Sequence, residues 1–175
     1  MLRHGGVSRV RIRTTLACLL LLLGGWTAST AAEATGLDWR GWDEGLKQAR
    51  ERKRVVLVDV HTGWCGWCKR MERDVYARPE VREYLGRKFV TVKLDAEGAE
   101  PARYENRDFT SRSLAARFNV TGYPTTLFLR ANGEHLISVP GYVPADRFLL
   151  VLRYIGDGYM DRGVTWEDFR AREKH

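Results

Sequence analysis

Two cysteines three residues apart, directly after a run of β-branched residues, constrain this chain more than any other feature. The stretch reads Val55-Val56-Leu57-Val58-Asp59-Val60-His61-Thr62-Gly63-Trp64-Cys65-Gly66-Trp67-Cys68-Lys69. The apolar run starting at Val55 predicts a buried strand. Gly63 marks a short turn, and Lys69, Arg70, Met71 and Glu72 continue as a helix. Residues at i and i+3 share a helix face, so the two sulfurs can meet there. Cys65 falls at the helix N-terminus, where free amide N–H groups and the helix dipole stabilise a thiolate. A strand leading into C-x-x-C at a helix start is the layout of a dithiol/disulfide redox centre.

The N-terminal segment predicts export. Met1 to Arg13 is basic, Leu16 to Trp26 is apolar, and Thr27 to Ala34 is rich in small residues, the three regions of a secretory signal peptide. The apolar run is shorter than the ~20 residues a membrane-spanning helix needs, which weighs against an uncleaved anchor. Cleavage after Ala32 or Ala34 fits, so residues 1–32 are read as the signal and 33–175 as the folded domain, starting near Glu33. The formal charge of +7 largely reflects this segment. Its four arginines and no acid leave 25 basic against 22 acidic residues, or +3, in the remainder. That is too mild a balance for a nucleic-acid footprint.

Cys18 lies inside the apolar segment, so the mature chain keeps only Cys65 and Cys68. An exported compartment permits disulfides. A purely structural bridge is a poor account of this pair, because a three-residue loop constrains the unfolded chain little. A zinc site is a second alternative, but two thiolates make half of one, and the scattered His61, His135 and His175 do not complete it.

Around this centre the pattern alternates. A helix is expected over Leu37 to Arg54, and the cysteine helix to about Tyr76. Pro79 to Arg87 reads as another helix, with proline in its first turn, and Phe89 to Leu94 as a strand. Asp95 to Phe109 reads as a polar loop. Thr110 or Ser111 caps a helix through Phe118. Thr125 to Leu129 and His135 to Val139 are strands joined by Asn132-Gly133, a hairpin signal. Pro144 to Ile155 is helical, Gly156 to Gly163 a linker, and Trp166 and Phe169 mark a last short helix. The fold class is α/β, a central mixed β-sheet flanked by helices.

Four features together resemble the thioredoxin superfamily, over roughly residues 37–155, with 156–175 as a C-terminal helical extension. They are Val-Leu-Val-Asp-Val before Trp-Cys-Gly-Trp-Cys-Lys, Asp59 six residues before Cys65, Lys93 in Val-Lys-Leu-Asp, and Gly122-Tyr123-Pro124-Thr125 followed by a hairpin and Gly141. Asp-Val-Tyr-Ala-Arg-Pro-Glu-Val after the cysteines is similar to the C-terminal domain of DsbD. The loop before Pro124 and the C-terminal tail are similar to periplasmic thioredoxins of the SoxW type. Gly66-Trp67 departs from the Gly-Pro of typical thioredoxin, and His61 stands where thioredoxin has tryptophan. That histidine is either a group titrating near the thiols or a strand-end residue bonded to a neighbour.

The resemblance implies a thioredoxin-like fold and assigns roles. Cys65 is the exposed, low-pKa attacking sulfur, and Cys68, more buried, resolves the mixed disulfide. Asp59 accepts the Cys68 proton, or else is only an inward polar residue paired with Lys93. Tyr123-Pro124 forms a cis bond beside Cys65, where an extended client pairs as an added strand. Trp64, Gly66 and Trp67 border that client, unless one tryptophan is core. No cofactor is required, because the cysteines carry the electrons. The expected protein is a periplasmic thiol–disulfide oxidoreductase, monomeric, reducing protein clients with electrons from a membrane-bound donor. An oxidase or isomerase is the alternative enzyme, and a non-catalytic redox module or Cu(I) carrier the alternative from another class.

Overall fold

The protein is described by a computed structural model covering residues 1–2 and 36–173. The expected export signal lies outside these residues, its first two apart. The elements that follow are α1 (Trp42–Arg52), β1 (Val55–His61), α2 (Gly66–Met71), a π-helical turn (Glu72–Tyr76), α3 (Pro79–Lys88), β2 (Phe89–Asp95), β3 (Pro101–Tyr104), β4 (Arg107–Thr110), α4 (Ser111–Arg117), β5 (Thr125–Leu129), β6 (His135–Pro140), α5 (Ala145–Gly156) and α6 (Trp166–Arg172). The main sheet has the order β2-β1-β5-β6. β1 runs parallel to β2 and antiparallel to β5, and β6 returns antiparallel on β5. It is the mixed sheet flanked by helices that the sequence pattern implies.

Two expectations need correction. The first helix begins at Trp42 rather than Leu37, because the preceding segment is extended and adds to the sheet edge. The Arg40 N–H donates to the Thr91 carbonyl, and the Arg40 carbonyl accepts from the Lys93 N–H. Residues 95–109 are not a plain loop, since β3 and β4 form a hairpin there. Its turn residues Glu105 and Asn106 both have positive φ, the two-residue turn that matches strand twist. Glutamate is an unusual first residue for that turn, so the sequence signal was weak. The hairpin is anchored to the body by Tyr104, which packs on Trp42 and Phe118, and by Trp42 Nε1, which donates to the Arg103 carbonyl at 3.1 Å.

Alternation along the strands sets the two faces of the sheet. Val58, Val60, Val92, Leu94, Leu127 and Leu129 join the core under α1 and α4. Leu57, Phe89 and Phe128 join the core built with Met71, Val75, Tyr76, Phe148 and Leu152. The α4 helix starts with a reciprocal capping box between Thr110 and Ser113, close to where Thr110 or Ser111 was expected to cap it.

Candidate functional site

The site begins where β1 ends. The Cys65 N–H donates to the Thr62 carbonyl at 3.2 Å, which closes the turn after the strand. Cys65 is the N-cap of α2, and its Sγ accepts the Cys68 N–H at 3.0 Å. A sulfur takes the place that a serine or aspartate oxygen takes in an ordinary cap. Cys65 and Cys68 are joined by a disulfide, with Cα atoms 5.3 Å apart. Exposure does not separate the two as the sequence reading expected. Cys65 is 3% exposed and Cys68 9%, because the cap interaction and the closed bridge turn the first sulfur inward too.

Both neighbouring tryptophans are on the surface, Trp64 68% and Trp67 54% exposed. Trp64 meets Tyr123 edge-on at 6.0 Å, and Trp67 leans on Tyr142 at 5.5 Å. The Tyr123–Pro124 peptide is cis, and the Pro124 carbonyl accepts from the N–H of Gly141, which has a positive φ of 82°. The dithiol loop thus carries two aromatic pairs, one through each of its tryptophans. Arg70 places its guanidinium 5.2 Å from the Trp67 ring and 5.4 Å from Tyr142, while its Nε donates to Asp74 at 3.2 Å. Tyr142 and Arg70 were not singled out from the sequence, since nothing in their local pattern distinguishes them from ordinary surface residues.

Beneath α2 and the π-helical turn lies a polar row. Lys93 and Thr126 are the register partners of Asp59 on its two neighbouring strands. All three share strand parity with the apolar Phe89, Leu57 and Phe128 of the same face. Burial raises the Asp59 carboxyl from its ordinary 3.8 to about 6. The charge of Lys93, then that of His61, and a hydrogen bond from Tyr76 oppose the rise, and Glu72 adds to it. The expected Asp59–Lys93 pairing takes another form. Lys93 Nζ is ion-paired with Glu72 at 2.9 Å and lies 5.2 Å from the Trp39 ring, so it acts on Asp59 through its charge. The direct partner of Asp59 is Tyr76, whose hydroxyl donates to Oδ1 at 3.3 Å. Tyr76, Glu72 and Trp39 complete this cluster, and sequence reasoning missed all three. Their only signal was the helical spacing that places Glu72 and Tyr76 four residues apart. Among the described residues, no group of three or more histidine, cysteine or acidic side chains is arranged to hold a metal ion.

A mixed sheet with a Cys-Gly-Trp-Cys disulfide capping the helix after its central strand defines a thioredoxin-like protein. The chain belongs to that family: the signature of the thioredoxin-like domain matches residues 42–156. It is 27% identical to the disulfide bond reductase DsbH of Chlamydia pneumoniae over 112 residues, covering 63% of this chain and 66% of that protein. It is 32% identical to the thiol:disulfide interchange protein DsbD of Tatumella citrea over 111 residues, 62% of this chain and 17% of that protein. The match thus spans just under two thirds of the first relative and about a sixth of the second. Among solved structures, a thioredoxin from Thermus thermophilus superposes with a TM-score of 0.59 at 28% identity, covering 73% of this chain and 93% of that one. Both curated relatives are named for disulfide chemistry.

Proposed function

We propose that the protein is an exported reductase of protein disulfides, working in the periplasm through Cys65 and Cys68. The observation that carries this reading is the Cys65–Cys68 disulfide at the start of α2, with the exposed Trp64 and Trp67 next to it in the chain, each packed on a half-buried tyrosine. In the reduced protein, the Cys65 thiolate attacks a client disulfide. The client S–S bond breaks, Cys65 forms a mixed disulfide, and one client sulfur leaves as a thiolate. Cys68 gives its proton to Asp59, attacks Cys65 Sγ and releases the second client sulfur. Two electrons pass to the client, and the disulfide seen here is the oxidised product. A dithiol donor at the membrane, of the kind suggested by the similarity to DsbD, resets it by the same exchange in reverse. Trp64, Gly66, Trp67, Tyr123 and Pro124 form the client surface, where an extended segment pairs along the Pro124 edge.

Three considerations support the reducing direction. One relative carries the name disulfide bond reductase. Gly66-Trp67 brings no cation between the cysteines, and Arg70, whose guanidinium lies over the Trp67 ring, is ion-paired with Asp74. Buried Asp59 places negative charge under the pair and disfavours a second thiolate. The last two leave the reduced form less stabilised, which means a more negative potential. Equilibration in a glutathione buffer should give a value nearer ~−270 mV than ~−120 mV. A value above roughly −180 mV, the isomerase region, would replace the reductase with the oxidase or isomerase alternative. Cys68→Ala should trap clients as mixed disulfides on Cys65, and Cys65→Ala should trap none. Export is checked by N-terminal sequencing of secreted protein, where an intact Met1 would sink it.

A further inference from the structure

The π-helical turn makes one contact that the exchange scheme leaves unused. The Ala77 N–H donates to the Glu72 carbonyl at 3.0 Å, five residues back. That extra residue per turn changes which side chains hang over the sheet. Glu72 and Tyr76 both come to lie over the polar row, the first on Lys93 and the second on Asp59. Tyr76 is buried, its ring edge-on to Trp39 at 5.1 Å and to Phe148 at 5.7 Å. A phenylalanine would fill that space equally well, so packing does not account for the hydroxyl. A buried hydroxyl needs partners, and this one has Asp59 Oδ1 and the side chain of Thr126.

We propose that Tyr76 is a positioning residue for the proton acceptor: its hydroxyl holds and stabilises the Asp59 carboxylate, and thereby sets the pH range in which Cys68 can pass on its proton. This role rests on the oxidoreductase reading above and deepens it. The groups bearing on Asp59 are Lys93 from β2, His61 from β1, and Glu72 and Tyr76 from the π-helical turn, with Thr126 its register partner on β5. Tyr76 alone among them donates a hydrogen bond to the carboxylate that the structure resolves. Burial pushes the Tyr76 hydroxyl well above its ordinary pKa, so it stays a donor throughout the working range.

The test is Tyr76→Phe, which keeps the ring and removes the donor. In the oxidised protein, carbon NMR should find Asp59 titrating near 6 in the wild type. In the variant it should move upward by about one pH unit, a tenfold change in proton affinity, the size a hydrogen bond to a charged group supplies. Turnover of a disulfide-bonded peptide should lose about tenfold at pH 5 and stay within about twofold at pH 8. In an Asp59→Asn background the same substitution should no longer alter the pH profile. Should Tyr76→Phe not fold, Thr126→Val removes one anchor of the hydroxyl and should move Asp59 the same way by less. An unmoved Asp59 in a folded variant, or an undiminished effect in the Asp59→Asn background, overturns the proposal. Wild-type protein that turns over no disulfide at any pH sinks the oxidoreductase reading and this role with it. Active wild type with an unmoved Asp59 sinks Tyr76 alone.

Discussion

The two faces of the central sheet carry the same strands and different duties. Under α1 and α4, the inward residues of β1, β2 and β5 are apolar apart from Thr125 at the start of β5, with Val58, Val60, Val92, Leu94, Leu127 and Leu129 all buried. On the opposite face Leu57, Phe89 and Phe128 are apolar at one end, but Lys93, Asp59 and Thr126 take over near the dithiol. One face secures the fold. The other gives up part of its apolar surface at one end so that an ionisable group can lie beneath the helix that carries the cysteines. Burying a carboxyl is costly unless it is paired or protonated, so the second face should be the less stable and the more sensitive to pH.

Truncating the apolar face should give the larger loss of stability. Leu127 is fully buried between β1 and β6. Leu127→Ala should cost about 2–5 kcal/mol, as buried leucines do when a cavity is left, read as a lower midpoint in urea. The reduction potential of the dithiol should stay where it was. A potential that moved with Leu127 would show that the two faces do not divide the work.

The polar face should show the reverse sign. The carboxyl of Asp59 titrates near 3.8 when free and at about 6 when buried. The folded state therefore holds this proton more tightly than the unfolded chain. That stabilisation is complete below pH 3.8, falls away as pH rises to 6, and stays lost above it. Asp59→Asn removes the titration. Relative to wild type it should gain up to about 3 kcal/mol of stability above pH 6, from a difference of about two pH units at 1.4 kcal/mol each. The gap should close by about pH 4. The same variant should slow resolution of the mixed disulfide at or below the ~10²-fold end of general-base effects. A stability gap that does not depend on pH would mean that Asp59 titrates alike in the folded and unfolded protein.

The division between faces also explains what was legible in the sequence. Strands β1 and β5 and the cysteine helix start announced themselves, because β-branched runs and C-x-x-C are local signals. Asp59 and Lys93 were legible through the family resemblance. Their partners were not, because pairing across the sheet depends on how the chain passes over it. Reading Glu72 onto Lys93 and Tyr76 onto Asp59 requires the π-helical turn, and an i, i+5 hydrogen bond leaves no mark in residue type. The sequence pattern predicts a helix at Trp39, whereas the extended segment before Trp42 brings its ring over Lys93 and against Tyr76. The β3–β4 hairpin escaped for a similar reason. Its anchors Trp42 and Phe118 lie far from it in sequence, and its turn is made by Glu105 and Asn106 without glycine.

The smallest expected effects separate the charge of Lys93 in the polar row from that of Glu72 above it. Lys93 and Glu72 form an ion pair whose side chains are 30% and 57% exposed, so breaking it should change stability by less than about 1 kcal/mol. Their influence on Asp59 should nevertheless be opposite. The lysine charge favours the carboxylate and the glutamate charge disfavours it. Lys93→Gln should move the Asp59 titration upward, and Glu72→Gln should move it downward, each by a fraction of a pH unit. Because the pair is partly solvated, both displacements should shrink between low salt and about 1 M salt, where the screening length falls to roughly 3 Å. The Tyr76→Phe displacement should survive that salt, because a buried hydrogen bond is not screened. Carboxyl titrations of the three variants at two salt concentrations make the comparison. Displacements of the same sign for Lys93→Gln and Glu72→Gln would show that the pair acts on Asp59 by holding the π-helical turn in place, and that charge is not the cause.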